Sequence, residues 1–227
     1  GKGRAAAAGR AAGVAMRAAA MPCDFAEVFH AKLLELLDAA DAPALAALLP
    51  PDAQADHDAP GADIKRRVVE VATADHEAAK QEAARRKPFE ERLTRDCFHV
   101  TPVDDAERTA WREYLVDVEQ RGDAGAAKAL YERCLVPCGG YAEFWIMYAR
   151  FLEDSEGPDA ARELLARGCA TTFKRRPHLR IEVALLDEAS GHTEAAREGY
   201  RCVAECLAPH EVEYVLRWAN FERRAEK

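Results

Sequence analysis

The sequence predicts an all-α protein, an α-solenoid of antiparallel helix pairs, and three observations carry that expectation. The pair Trp111 and Tyr114 recurs as Trp145 and Tyr148, a shift of 34 residues. The run Ala126-Ala127-Lys128 recurs as Ala160-Ala161-Arg162 and as Ala195-Ala196-Arg197, at shifts of 34 and 35. A glutamate closes each first helix (Glu119, Glu153, Glu188, Glu222), and Gly122, Gly157-Pro158 and Gly191 follow the first three as turns. Features repeating in phase at this period mark a unit that buries its apolar face only by stacking on its neighbours. Composition agrees: the chain is rich in Ala, Leu, Glu and Arg, holds only 13 glycines in 227 residues, and is 49% hydrophobic. These are the residues that lose least on entering a helix.

Along the chain, residues 1–40 read as partial upstream repeats. Gly1 to Ala20 is rich in Ala and Arg without acids, the composition of a transit peptide, but the repeat accounts for the same residues. Met16 to Cys23 shares the layout of Tyr131 to Cys138, a helix ended by Pro-Cys. Asp24 to Phe29 then parallels Tyr141 to Trp145 and opens a first helix that runs to about Leu37. Residues 41–62 form a Pro/Ala/Asp-rich linker, since Pro43, Pro50, Pro51 and Pro60 forbid a long helix. Residues 63–100 form a connecting helix and docking segment, with Asp63 as its cap and Phe89, Phe98 and Val100 as docking groups.

Residues 101–227 are the repeat array, about three and a half units. Thr109 to Gln120 places Trp111, Tyr114, Leu115 and Val118 on one stripe. Its partner, about Ala124 to Val136, presents Ala127, Leu130, Tyr131 and Cys134, and Pro137 is expected to stop it. The second unit spans Ala142 to Asp154 and Asp159 to about Ala170, and the third Pro177 to Ala189 and Glu194 to Leu207. In that third unit Arg180 and Val183 stand where the first carries Trp111 and Tyr114. A last first helix follows Pro209, with Val212, Val215, Trp218 and Phe221 as its expected stripe. The chain is thus expected to be a piece of a longer array.

Charge and motifs narrow the function. The formal net charge of −8 argues against a surface given over to nucleic acid. Residues 51–80 hold seven acids (Asp52, Asp56, Asp58, Asp63, Glu70, Asp75, Glu77) against four bases. Two basic clusters, Arg85-Arg86-Lys87 and Lys174-Arg175-Arg176, are the candidate contacts for RNA or a partner. Seven cysteines without framework spacing point to a reducing compartment. Cys134/Cys138 and Cys202/Cys206 are each half a zinc site at most, with no second pair at ligand spacing. No nucleophile elbow, phosphate-cradling glycine loop or HExxH is present, and no two of the seven histidines are four apart. Asp104-Asp105 and Asp187-Glu188 fall at helix starts or ends, where dipole and solvation account for them. No catalytic residue, metal ligand or cofactor is expected. The repeat phase makes the aromatics core rather than a base-stacking platform.

Aromatics at Trp111 and Tyr114, an acid closing the helix and a proline between units resemble the half-a-tetratricopeptide (HAT) repeat of RNA-processing proteins, a HAT/TPR-like solenoid. Phe89-Glu90-Glu91, Phe98 to Pro102 and Trp111 to Leu115 together resemble the pre-mRNA-processing factor 39 family. Tyr131 to Leu135, Glu143 to Ile146, Tyr148-Ala149 and Glu222-Arg223-Arg224 continue the likeness, which covers about residues 85–227 and, more faintly, 10–37. The resemblance makes Trp111, Tyr114, Glu119, Pro137, Trp145, Tyr148, Glu153, Glu188, Trp218 and Glu222 structural signature positions. It implies a non-catalytic nuclear scaffold of the U1 small nuclear ribonucleoprotein, acting in 5′ splice-site recognition through protein–protein contacts. Its implied partners are other proteins of that particle, and itself or a related HAT protein as a dimer in the full-length form. RNA contact would be indirect or weak, and no membrane is involved. The alternatives are another HAT scaffold, of 3′-end cleavage or ribosome biogenesis, and a direct RNA-binding helical-repeat module.

Overall fold

The structure, a computed structural model, describes residues 2–23, 25–49 and 61–226. Asp24 and, within the stretch expected as linker, Pro50, Pro51 and Pro60 lie outside the described residues. All regular structure among the described residues is helical, and the chain divides into two compact units, up to Glu91 and from Arg92.

The first unit holds α1 (Lys2–Ala19), α2 (Ala26–Ala39), the short α3 (Ala42–Ala46) and α4 (Gly61–Glu90). Helix α3 falls inside the stretch expected as linker. Asp41 caps it by accepting from the Ala44 N–H at 3.2 Å, and Pro43 sits in its first turn, where a missing N–H costs nothing. Asp63 lies within the first turn of α4 rather than at its cap. The core joins Ala12 and Ala15 of α1, Leu33 and Leu37 of α2, Leu45 of α3 and Ile64, Val68 and Ala72 of α4. Alanines on α1 let the backbones close: a Cβ on Gly9 would lie 2.4 Å from that of Ala44.

Beside this core the His30 and His76 rings stack with centroids 4.5 Å apart and planes 8° from parallel. His76 is buried, and the His30 Nε2 has no hydrogen-bond partner. Burial, and then the neighbouring His76, hold the His30 pKa below its ordinary 6.5. The unfolded chain therefore binds the proton more readily than the folded one below that value, so stability is full above about pH 6.5 and falls as the pH drops. Denaturant midpoints measured across this range should fall with acidification, and His30→Phe should flatten that slope. An unchanged slope in the variant would remove His30 as its cause.

The second unit holds α5 (Asp105–Gln120), α6 (Ala124–Cys138), α7 (Ala142–Glu156), α8 (Pro158–Ala170), α9 (Pro177–Ala189), α10 (Thr193–Cys202) and α11 (Val212–Ala225). A π-helical turn, Val203–Leu207, closes α10. Each helix packs on the next along the chain, and α7 also meets α9, so short turns produce antiparallel pairs stacked in order. The turns repeat too. Gly122, Gly157 and Gly191 have φ of +77°, +102° and +78°, a region that side chains with a Cβ rarely adopt. At Gly191 the geometry is a Schellman cap: its N–H donates to Glu188 O at 3.1 Å and the His192 N–H to Asp187 O at 2.8 Å.

Three local expectations are corrected. Helix α6 continues through Pro137 to Cys138, because a proline in the last turn forfeits one hydrogen bond and leaves the following residue helical. Phe98 and Val100 are 66% and 91% exposed and dock nothing. The segment before α5 is held instead by the buried Glu107, which accepts from the Thr94 and Arg95 N–H groups at 3.0 and 2.8 Å, and by the buried Val103. On α11 the buried residues are Tyr214 and Phe221, with Trp218 half-buried, while Val212 and Val215 are exposed, since the helix packs on α10 and the π-helical turn.

Candidate partner-binding groove

Four of the five signature aromatics lie in the interior, and Trp218 is half-buried. Trp111 and Trp145 are 1% and 5% exposed, and each has a guanidinium over its indole, Arg133 and Arg167, both 5.5 Å from the ring centroid. The Trp145 Nε1 donates to Gly139 O at 2.9 Å, satisfying a carbonyl at the end of α6. Tyr114 and Tyr148 are buried, and Tyr148 stacks on Tyr131 at 4.7 Å. Burial, then Glu132, push the Tyr148 phenol up to about 12. None of these four rings has a face open to a base.

The signature glutamates do structural work that their spacing alone does not reveal. The Tyr131 hydroxyl donates to Glu119, and the Tyr200 hydroxyl donates to Glu188 at 2.8 Å, both across twelve residues from the second helix of a pair back to its first. Arg224 of the following helix adds two hydrogen bonds to Glu188, at 2.6 and 3.0 Å. Glu222 accepts from Arg197 Nε at 2.9 Å and from Trp218 Nε1 at 3.0 Å. Glu153 has Leu165 twelve residues on instead of a tyrosine, and it is exposed. Tyr131, Tyr200, Arg197 and Arg224 are thus partners that the period alone misses. The legible signal is a tyrosine twelve residues after the closing acid. Pro137 is buried at the end of α6.

The two basic clusters differ. Arg85 and Arg86 both reach Glu82, at 3.0 and 2.6 Å, and Lys87 lies 3.8 Å from Glu91 just past the helix end, so two carboxylates offset part of their charge. Lys174, Arg175 and Arg176 are exposed between α8 and α9. There Arg176 lies 5.6 Å over the Phe173 ring and donates to Gly140 O at 3.5 Å. The cysteine pairs are free thiols. Cys134 and Cys138 are buried, and desolvation, then the hydrogen bond with Cys138, push the Cys134 thiol up, which makes it inert. Among the described residues no group of three His, Cys, Asp or Glu could hold a metal ion, and no helix is long and apolar enough to cross a membrane.

A groove of about 650 Å³ lies between α8, α9 and α10. Its origin lies in the repeat. The second repeat carries Trp145, Tyr148, Leu152, Leu164 and Arg167; the corresponding positions of the third repeat are Arg180, Val183, Asp187, Gly199 and Cys202. A bulky residue becomes small or charged at all five, and all five line the groove. The Trp–Arg pair that recurs in the first two repeats of the array is therefore replaced at both ends at once. Asp187 occupies a position that is apolar in the other units and is 3% exposed. Arg162 Nε lies 2.6 Å from its Oδ1 and Nη2 3.4 Å from Oδ2, while His192 Nδ1 is 4.0 Å from Oδ1. That Oδ1 is ion-paired but takes no aligned hydrogen bond. A partly apolar floor with a buried carboxylate suits the capture of a side chain.

A family model described as the PRP39 C-terminal HAT repeat matches residues 84–224, more than half of the chain. The chain is similar to pre-mRNA-processing factor 39 of Schizosaccharomyces pombe, 33% identical over 166 residues, which is 71% of this chain and 27% of the relative. It is likewise similar to pre-mRNA-processing factor 39 of Homo sapiens, 29% over 145 residues (64% and 22%). With pre-mRNA-processing factor 39-2 of Arabidopsis thaliana it shares 38% over 136 residues (60% and 13%). The chain thus spans about a quarter or less of the length of these relatives.

Proposed function

The chain belongs to the PRP39 C-terminal HAT-repeat family, and from that premise we propose that it is a non-catalytic scaffold of pre-mRNA splicing in the nucleus. In this reading it works within the U1 small nuclear ribonucleoprotein, in recognition of the 5′ splice site, by holding partner proteins in fixed relative positions. The observation that carries the proposal is the family match, which runs from the end of α4 through α11. The Phe89 to Leu115 stretch, inside that match, favours this family over HAT scaffolds of 3′-end cleavage or ribosome biogenesis. Residues 1–40 are proposed as part of an upstream array and 101–227 as the binding array. Dimerisation, with itself or a related HAT protein, is assigned to the full-length form.

A pull-down with the folded chain from nuclear extract should recover proteins of the U1 particle. Recovery of none, with the chain folded by circular dichroism, would end the proposal.

The exposed Lys174, Arg175 and Arg176 support a second reading, direct RNA contact, because cations beside an aromatic ring attract a phosphate backbone. With three cations engaged, the logarithm of affinity for single-stranded RNA would fall against the logarithm of salt with a slope of about −2. A titration at low salt that shows no affinity removes this reading. Affinity with a slope of that size, abolished by Lys174→Ala/Arg175→Ala/Arg176→Ala, supports it.

A further inference from the structure

We propose that the groove between α8, α9 and α10 captures an arginine side chain of a partner protein, its guanidinium on Asp187 and its aliphatic stem along Val183 and Gly199. The inference rests on the scaffold reading and names what one site of the scaffold recognises. Charge points to a cation: Asp159, Glu163, Asp187 and Glu198 face the groove against Arg162 and Arg180, four carboxylates against two guanidinium groups. The carboxylate at its base is buried and ion-paired with Arg162, yet its Oδ1 takes no aligned hydrogen bond, so it keeps acceptor capacity for a charge-assisted bond from a second donor. The repeat itself points to arginine. Arg133 and Arg167 fill the equivalent place in the first two units, and the third has Cys202 there. A partner's arginine would bring a guanidinium to the place that Cys202 leaves open. A guanidinium, planar and more weakly hydrated than an ammonium, is also the cation better suited to a buried ion pair.

The test uses the full chain, labelled with ¹⁵N and titrated with N-acetyl-arginine amide, N-acetyl-lysine amide and N-acetyl-tryptophan amide. The arginine probe should shift the Val183, Gly199 and Cys202 amides saturably and bind more tightly than the other two. Asp187→Asn should weaken it about tenfold or more, the loss expected for a hydrogen bond to a charged group. Arg180→Trp/Val183→Tyr restores residues that the repeat already carries at these positions, so it fills the groove, keeps the helical spectrum and abolishes binding. Should Asp187→Asn fail to fold, the filled variant decides. Tighter binding of the tryptophan probe, no shift with any probe, or full binding by the filled variant overturns the proposal. The nuclear-extract pull-down separates the two claims. Equal recovery by the native and filled chains overturns the groove's role and leaves the scaffold standing. No recovery by a native chain that binds the arginine probe overturns the scaffold and not the groove's chemistry. Loss of one recovered protein from the filled variant supports both.

Discussion

Trp145→Ala is expected to destabilise the second unit by about 3–5 kcal/mol, the range for deleting a buried indole. Three contacts fail together. The ring is 5% exposed at the junction of α6, α7 and α8, so its removal opens a cavity that neighbours tied into regular helices refill poorly. Its Nε1 hydrogen bond to Gly139 O is lost at the end of α6, and the Arg167 guanidinium loses the ring beneath it. Gly168 shows how closely the space is filled: a Cβ there would stand 3.0 Å from the Trp145 ring and 2.6 Å from Leu179 Cδ1. Equilibrium urea denaturation followed by circular dichroism measures the loss. A change under about 1 kcal/mol, the size of an ordinary point substitution, would show that the signature tryptophan is not a keystone of the stack.

Glu188→Ala should cost about 1–3 kcal/mol, because it strands the Tyr200 hydroxyl in the interior. Tyr200 is 1% exposed, and burial, then its hydrogen bond to Glu188, hold its phenol above the ordinary range. The same carboxylate receives Arg224 of α11, so one residue joins α9, α10 and α11. A double-mutant cycle with Tyr200→Phe isolates the shared part, and the pair should lose less than the sum of the singles. Additive losses would mean that the hydroxyl and the carboxylate do not depend on each other. A pH signature accompanies the cycle. The Arg224 hydrogen bond, then that of Tyr200, hold the Glu188 pKa below its ordinary 4.5. The unfolded chain therefore takes up the proton first as the pH falls. The contribution of Glu188 is present above about pH 4.5 and disappears as the pH drops through the lowered value. Glu188→Gln should remove that part of the acid slope while retaining an acceptor for Tyr200.

Much of the second unit is legible because its signals are local and repeat. The left-handed turn at Gly122, the caps and the stripe through Trp111, Tyr114, Leu115 and Val118 each lie within a few residues, and the period checks one unit against the next. Where only one helix speaks, legibility falls. Val212 and Val215 have the spacing of a buried stripe, yet burial needs a partner, and the contacts of α11 reach only Tyr214 and Phe221 fully. Phe98 and Val100 are apolar, but the segment before α5 is anchored by a carboxylate receiving backbone N–H groups, which hydropathy cannot register. Nor does spacing foretell the His30–His76 stack, whose members lie on α2 and α4.

The helical class, the 34-residue unit and the commitment of Trp111, Tyr114, Trp145 and Tyr148 to the interior follow from sequence alone, since periodicity and turn chemistry are written residue by residue. The same sequence shows Arg180 and Val183 in place of the aromatic pair. Only the folded chain decides what that loss means. Packing could have closed over the smaller side chains. At Gly199 it does, since an added Cβ would stand 2.8 Å from Ala184 Cβ, while Arg180, Val183 and Cys202 line a groove around a buried Asp187. Helices held by contacts on both sides relax only partly when side chains shrink, so a change of residues written in the sequence leaves an opening that only the packing reveals.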